Sequence, residues 1–231
     1  MSELDARDAE SSRDETSKAV TIYDYSYYSA QALWEAFEQA KAVRGASRGG
    51  TTDNEQDILR AMLVMAASGL DSALKQLIRD CIPRLIQINP EIHAKFEKFT
   101  LGELQRGSGS SGSESRSNKF LASVLAAPHP QTALVEAYVY DLTGSSLQSA
   151  DQVMMVAGAF CLDTRKLRKE LESLKTTFRI RNRIIHELDI DLEGKTRKRN
   201  RRSHPDMKRR TEHILSVCID VVDGVGEKFD T

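Results

Sequence analysis

One stretch of the 231-residue sequence carries apolar side chains at intervals of three or four residues over a long distance. This interval matches the turn of an α-helix, so the stretch predicts a long helix with one buried face. Asp53 and Gln56 have the spacing of a capping box at its start, and Pro83 is expected to end it soon after. The small residues 66–69 would let a second helix approach closely. The buried face is formed by Leu59, Leu63, Ala66, Leu70, Leu74, Leu77 and Cys81.

Helical spacing also dominates the rest of the chain, and no stretch alternates apolar and polar residues as a half-buried strand does. The sequence therefore predicts an all-α bundle of about five to seven helices. Besides the long helix from Asp53, helices are predicted over about 20–44, 90–104, 131–142, 148–160, 163–188 and 205–225.

Two segments lack the apolar residues that a packed helix needs. Residues 1–18 are acidic and rich in serine, so we expect a disordered tail. Residues 107–117 are nearly all glycine and serine, which predicts a flexible loop inserted within one domain. Residues 19–229 are then a single helical domain.

The overall charge excludes a globally basic nucleic-acid binder, because 33 Lys and Arg residues face 34 Asp and Glu residues. The charge is unevenly distributed, however. Residues 195–210 contain nine Lys or Arg residues and one acid, Asp206. This cluster indicates either a surface that faces an anion or a solvated run of charge of the kind that nuclear-localisation signals show.

Cysteine and apolar content indicate the compartment. Cys81, Cys161 and Cys218 are far apart and odd in number, which argues against a disulfide framework and a zinc site. The longest apolar runs are about half of the ~18 residues that a membrane-spanning helix needs. The amino-terminal region is acidic and has no apolar segment of the signal-peptide type. We expect a cytoplasmic protein that does not contact a membrane.

Two other patterns have weak chemical alternatives. Residues 107–112 spell a glycine-rich dinucleotide motif, but no strand precedes them, so a linker is favoured. Asp189, Asp191 and Glu193 alternate and would suit a hard cation, although a solvated helix exit is the more common meaning. We expect neither a metal nor an organic cofactor. His213 falls on the polar side of the last helix and is not singled out.

The helix from Thr164 to Leu188 contains an arginine where an apolar residue is expected. Arg181 occupies the gap in its apolar seam, where it must pair with an acid, reach water or face an anion. Asn182 and His186 are four residues apart and share a face that Arg181 flanks. The alternative is a structural arginine and a surface histidine. The seam consists of Leu167, Leu171, Leu174, Phe178, Ile185 and Leu188.

The residues from Arg181 to His186 resemble the Arg-x4-6-His signature of HEPN domains. The apolar stretch that runs from Arg60 to Asp71 and beyond is similar to the first long helix of RiboL-PSP-type HEPN proteins. The resemblance implies a helical bundle that forms a homodimer with the two motifs facing each other. It also implies a metal-independent endoribonuclease, in many cases a toxin of a toxin–antitoxin or phage-defence system.

The residues of the motif suit RNA cleavage by the 2′-OH group. His186 can accept the 2′-OH proton, and Arg181 can stabilise the charged phosphorane. Asn182 can orient the phosphate or the imidazole. Asp71 is either a helper in the site or the partner of a salt bridge to Arg181, and both interpretations stay open.

The expected partners are an RNA substrate such as tRNA or mRNA and a second copy of the chain, and an antitoxin or defence-system partner is a further candidate. A catalytically inactive HEPN module that binds nucleic acid or protein is the alternative function. Basic residues should hold the RNA backbone without reading its sequence. They are Arg179, Arg183, Lys195, Arg197, Lys198, Arg199, Arg201 and Arg202.

Overall fold

A computed structural model describes residues 3–45, 50–105, 114–195 and 197–230, without the side chains of 3–14, 114–116 and 166. These residues form eight α-helices and a final 3₁₀ turn, Glu227–Phe229. The only strand-like pairing among them is one antiparallel bridge between Ile190 and Arg199. The all-α prediction is confirmed. The helices are α1 (Glu3–Arg44), α2 (Asp53–Ile88), α3 (Pro90–Gln105), α4 (Glu114–Leu125), α5 (Pro130–Thr143), α6 (Ala150–Ala159), α7 (Thr164–Glu187) and α8 (His204–Gly226).

Helix α2 lies at the centre of the bundle and packs against α1, α3, α5, α7 and α8. All seven residues of its predicted apolar face, from Leu59 to Cys81, are fully buried. Because burying a leucine side chain contributes about 1.5–3 kcal/mol, this single face supplies a large part of the apolar stabilisation.

By length and composition, α2 is the one helix of the described residues that could cross a membrane. The uninterrupted apolar runs of the sequence are shorter than such a span, because polar residues separate them along α2. However, 56% of its most apolar window is buried within the protein. A helix that is apolar on several sides and covered by other helices is typical of a protein core.

Helices α1 and α2 approach each other closely where α2 carries its small residues. A Cβ atom built on Gly69 would lie 2.0 Å from Oγ and 2.3 Å from Cβ of Ser26 in α1. The Ser26 hydroxyl donates a hydrogen bond of 3.4 Å to the carbonyl of Met65. The predicted close approach of a second helix at residues 66–69 is therefore present.

The start of α2 differs from the prediction by one residue. Thr52 and Glu55 form the capping box, rather than Asp53 and Gln56. Glu55 also accepts a hydrogen bond of 2.9 Å from Arg44 at the end of α1, so one side chain serves both contacts. The helix also continues through Pro83 and ends only at Ile88.

The amino-terminal segment is helical, contrary to the disordered tail predicted for residues 1–18. Helix α1 begins at Glu3, and its residues from position 15 on contact α2. Glu15 pairs with Arg84 at 2.6 Å, and Thr16 is buried. For residues 15–18 the cause is tertiary contact, because they have little apolar surface of their own and Lys18 also pairs with Asp80 at 3.4 Å.

The predicted glycine–serine loop falls largely outside the described residues, which omit 106–113. Its last residues, 114–117, are not a loop, because they begin α4. Helix α4 packs against α3 and α5, and the periodicity analysis did not predict it.

Replacement of Gly69 by alanine should destabilise the protein by about 1–3 kcal/mol, because its methyl group would collide with Ser26. Chemical denaturation measures this change. Gly158→Ala is the matched control, since no atom lies within 4 Å of the added Cβ in α6. Adding Ser26→Gly should restore part of the loss. Equal stability of Gly69→Ala and Gly158→Ala would contradict the close approach.

Candidate active site

Helix α7 carries the Arg-x4-His motif, and its start agrees with the sequence. The carboxylate of Asp163 caps it by accepting a 3.0 Å hydrogen bond from the backbone N–H of Arg165. The helix ends at Glu187, and Leu188 follows in the left-handed conformation with a φ of 51°. The motif therefore lies in the last turns of a long helix.

The buried face of α7 changes direction just before the motif. The first four seam residues, Leu167 to Phe178, are buried as predicted. The next buried residues are Ile180 and Ile184, which lie about 160° and 120° around the helix from Phe178. The predicted seam positions Ile185 and Leu188 are 39% and 63% exposed, so this part of the prediction is wrong.

The short length of α6 explains the change. Helix α6 has ten residues and connects to the start of α7 through residues 160–163, so it lies beside the first part of the 24-residue α7. Helix α7 also packs against α2 and α8, and Ser173 in its first half already contacts His213 of α8. The next residues in line with Leu171, Leu174 and Phe178 are Arg181, which is half-buried, and Ile185, which is exposed.

Arg181 is half-buried at this point of change, and part of its guanidinium lacks a partner. Its Nη1 donates a 3.0 Å hydrogen bond to Oδ1 of Asn182. Its Nε is buried and has no acceptor within the described part of the chain. Burial lowers the pKa of Arg181, and the charge of Asp71 opposes this effect. The group stays cationic, so the site contains a desolvated positive charge.

Asp71 does not hold Arg181 in a salt bridge. One of its oxygens accepts a 2.6 Å hydrogen bond from the backbone N–H of Leu147, and the other pairs with Lys75 at 3.1 Å. The contact with Leu147 ties α2 to the loop before α6. Its influence on Arg181 is electrostatic and acts without an ion pair among the described residues.

The other motif residues are exposed. Asn182 and His186 both lie on the surface of α7. Within the described ranges, His186 has no hydrogen bond or ion pair that would fix its imidazole. Arg183 pairs with Glu187 at 3.6 Å, whereas Arg179 is exposed. Arg181 and His186 are five residues apart, which places them about 140° apart around the helix.

Three arginines of the basic loop, residues 195–202, are fixed by ion pairs. Arg202 pairs with the buried Asp189, Arg199 with Asp57 at 2.6 Å, and Arg201 with Asp53 at 3.3 Å. Arg199 and Arg201 dock the loop on the acidic start of α2, and Arg202 ties it to Asp189 just after α7. Lys195, Arg197 and Lys198 are exposed and form no ion pair with any described residue.

Asp189 is the centre of this docking. Its side chain is fully buried and accepts hydrogen bonds from Nε of Arg60 at 3.2 Å and Nε of Arg202 at 3.0 Å. Arg202 also donates from Nη2, and Asn200 donates a fourth bond of 3.2 Å. Burial alone would raise the pKa of Asp189, but Arg202 and Arg60 outweigh it and lower the pKa. Asp189 is therefore a structural carboxylate.

The three carboxylates considered as a cation site do not form one. Asp189 is occupied by the two arginines, and Asp191 accepts a 3.1 Å hydrogen bond from the backbone N–H of Gly194. Among the described residues, no group of three or more His, Cys, Asp or Glu side chains is placed to hold a metal.

A polar pocket between α7 and α8 was not found from the sequence. This α7–α8 pocket has a volume of about 400 Å³. His213, which was expected only on the polar side of the last helix, lies in this pocket. The signal that could have identified it is the basic pair Arg209 and Arg210, four and three residues earlier. The lining residues are Ser173, Thr176, Thr177, Arg209, Arg210 and His213.

Comparisons with known proteins identify no family for the chain. It matches no protein-family model, no curated protein and no solved structure.

Substitution of Asp189 by asparagine should lower the free energy of unfolding by about 3–5 kcal/mol, because Arg60 and Arg202 lose their shared charge partner. Asparagine keeps the shape and tolerates the left-handed backbone at this position, where φ is 57°. Asp191→Asn is the control. Denaturant titrations at several pH values measure both variants.

The loss should depend on pH in a defined direction. Because the folded protein lowers the pKa of Asp189, the wild-type advantage is present above the ordinary aspartate range near ~4 and declines as the pH falls below it. A difference between Asp189→Asn and wild type that stays constant down to strongly acidic pH would contradict the buried pairing.

Proposed function

We propose that the protein is a metal-independent endoribonuclease of the HEPN type that acts as a homodimer. The observation that supports this most is the half-buried Arg181, whose Nε has no acceptor in the described part of the chain. A desolvated guanidinium without a carboxylate partner favours an incoming anion such as a phosphodiester.

The chemistry follows from the two motif residues. His186 accepts the proton of the 2′-OH, and the 2′-oxygen attacks the adjacent phosphorus while the bond to the 5′-oxygen breaks. Arg181 stabilises the negative charge that grows on the phosphorane, and Asn182, which already holds Arg181, keeps the guanidinium in position. The 5′-oxygen leaves with a proton from an imidazolium or from water. The products carry a 2′,3′-cyclic phosphate and a 5′-OH.

The angle between the motif residues supports a site built from two copies. Side chains about 140° apart on one helix point away from each other, so one copy brings them together only by extending the arginine. When two α7 helices face each other, Arg181 of one copy approaches His186 of the other. The proposed dimer therefore completes the site.

Exposed apolar residues beside the motif support the same interface. Ile185 continues the line of the buried seam of α7 and is 39% exposed, and Leu188 and Leu192, which follow the helix, are 63% and 58% exposed. An apolar strip of this kind next to polar residues is typical of an interface. A second copy of α7 would cover it and further desolvate Arg181.

The unpaired basic residues define the proposed RNA-binding surface. Arg179, Lys195, Arg197 and Lys198 are exposed and are free of ion pairs with the described residues. We propose that they hold the RNA backbone, whereas Arg199, Arg201 and Arg202 have structural roles. A tRNA or mRNA substrate, a cytoplasmic location and a toxin or phage-defence role with an antitoxin partner belong to the same proposal.

One observation favours the alternative function. No described residue orients His186, whereas a general base is commonly held by a hydrogen bond to its second nitrogen. In an inactive HEPN module, the same basic surface binds nucleic acid or a protein partner without cleavage. The two functions predict different results when His186 is replaced. The enzyme loses RNA cleavage, whereas the inactive module has no cleavage to lose and binds RNA as before.

Replacing His186 by alanine or Arg181 by glutamine should abolish RNA cleavage and leave the fold intact. General acid–base catalysis contributes about 10²–10⁴ in rate, which sets the expected loss for His186→Ala. Gel assays of RNA cleavage measure the activity, and thermal melting followed by circular dichroism tests the fold.

His129→Ala and Arg168→Gln are the matched controls, because both residues are exposed and lie outside the motif. They should retain activity. If the wild type binds RNA without cleaving it, and His186→Ala binds equally well, the inactive module is the correct function. Near-normal cleavage by His186→Ala rules out the proposed mechanism.

The dimer is tested by a charge on the apolar strip. Light scattering of wild type should give a molar mass twice the 25.8 kDa of one chain. The Ile185→Glu variant should have the mass of one chain and should not cleave RNA. Met155→Glu is the control, because Met155 in α6 is 40% exposed, almost the same as Ile185. A monomeric wild type, or an Ile185→Glu variant that remains dimeric, would contradict this interface.

A further inference from the structure

The α7–α8 pocket combines cationic side chains with hydroxyl groups. Arg210 is held firmly, because its Nε donates to Asp206 at 2.7 Å and its Nη1 donates to the buried Thr177 at 3.0 Å. Arg209 donates to the same Asp206 from one nitrogen and is otherwise exposed. Two guanidiniums therefore share one carboxylate, which leaves a net positive charge.

The hydrogen bonds also define the state of His213. The hydroxyl of Ser173 donates its single proton to the carbonyl of Glu170 at 2.8 Å. In its 3.1 Å contact with Nδ1 of His213, the Ser173 oxygen must therefore accept, so Nδ1 carries a hydrogen. The Nε2 atom is left for a ligand, and it becomes a donor when the imidazole is protonated.

We propose that the α7–α8 pocket binds a phosphate group. Arg209 and Arg210 supply charge-assisted donors, His213 adds a donor in its protonated form, and Thr176 lines the pocket with a hydroxyl. A tetrahedral oxyanion offers several oxygens to such converging donors. A cation would meet the net positive charge, and an apolar ligand would leave these polar groups unpaired.

The pocket adjoins the motif along α7. Thr177 precedes Arg181 by four residues, which is a rise of about 6 Å along the helix axis. If the proposed ribonuclease function holds, a strand bound at Arg181 can place a neighbouring phosphodiester in the pocket, and this use rests on that function. A terminal phosphate or a free phosphate is the other source of the same ligand chemistry.

The test uses the full chain, and inorganic phosphate is the first probe. A ³¹P NMR titration measures the Kd for phosphate. The double variant Arg209→Gln, Thr176→Val should raise the Kd for phosphate by about tenfold or more, because a charge-assisted hydrogen bond is lost. Arg168→Gln removes the same charge from an exposed position of α7 outside the pocket and should leave the Kd nearly unchanged. Neither variant removes a residue of the Arg181–His186 motif.

The second probe is an uncleavable 2′-O-methyl RNA strand, with and without a 5′-phosphate. Weaker binding of both strands by the double variant identifies a backbone phosphodiester as the ligand. Weaker binding of only the 5′-phosphorylated strand and of inorganic phosphate identifies a terminal or free phosphate. Equal affinity of wild type and double variant for every probe overturns the pocket proposal.

The pocket and the proposed catalysis can fail separately. His186→Ala should bind phosphate as well as wild type does, because His186 does not line the pocket. Normal phosphate binding without RNA cleavage by wild type would overturn the ribonuclease and leave the pocket standing. If wild type cleaves RNA and the double variant binds every probe as wild type does, the pocket proposal is overturned and the ribonuclease proposal stands.

Discussion

The carboxylate of Asp189 accepts hydrogen bonds from two guanidiniums, Arg60 in α2 and Arg202 just before α8, and it is fully buried. A buried charge is strongly destabilising unless it is paired, so the three side chains hold one another in place. The end of α7, the basic loop and the start of α8 are thereby fixed against the central helix. The position of the Arg-x4-His motif depends on this docking.

Arg181 lies in the same carboxy-terminal part of α7 but has the opposite environment. Asp71, the carboxylate whose charge acts on Arg181, uses its oxygens for Leu147 and Lys75. The desolvated guanidinium is therefore left without a charge partner in the described part of the chain. A protein that pairs its buried arginines elsewhere and leaves this one unpaired has a site suited to an anion, and this contrast carries the proposed function.

Sequence periodicity predicted the elements that pack along their whole length, such as α2 and α8. When neighbouring helices cover every turn of a helix, its apolar stripe is the face that is buried. Periodicity failed where the partner ends: Ile185 continues the α7 stripe, but α6 is too short to cover it. Charge in the sequence could not distinguish Arg202, which shares the buried Asp189 with Arg60 from a distant segment, from the exposed Lys198. Pairing between distant segments is set by tertiary structure and leaves no local pattern.

The chemical ends of the RNA products test the central claim most directly. Purified protein is incubated with a defined RNA in the presence of a chelator, and the fragments are analysed by mass spectrometry. Attack by the 2′-OH with His186 as base predicts fragments that end in a 2′,3′-cyclic phosphate and begin with a 5′-OH. Fragments with 3′-OH and 5′-phosphate ends, or cleavage that stops when the chelator is added, would contradict the account.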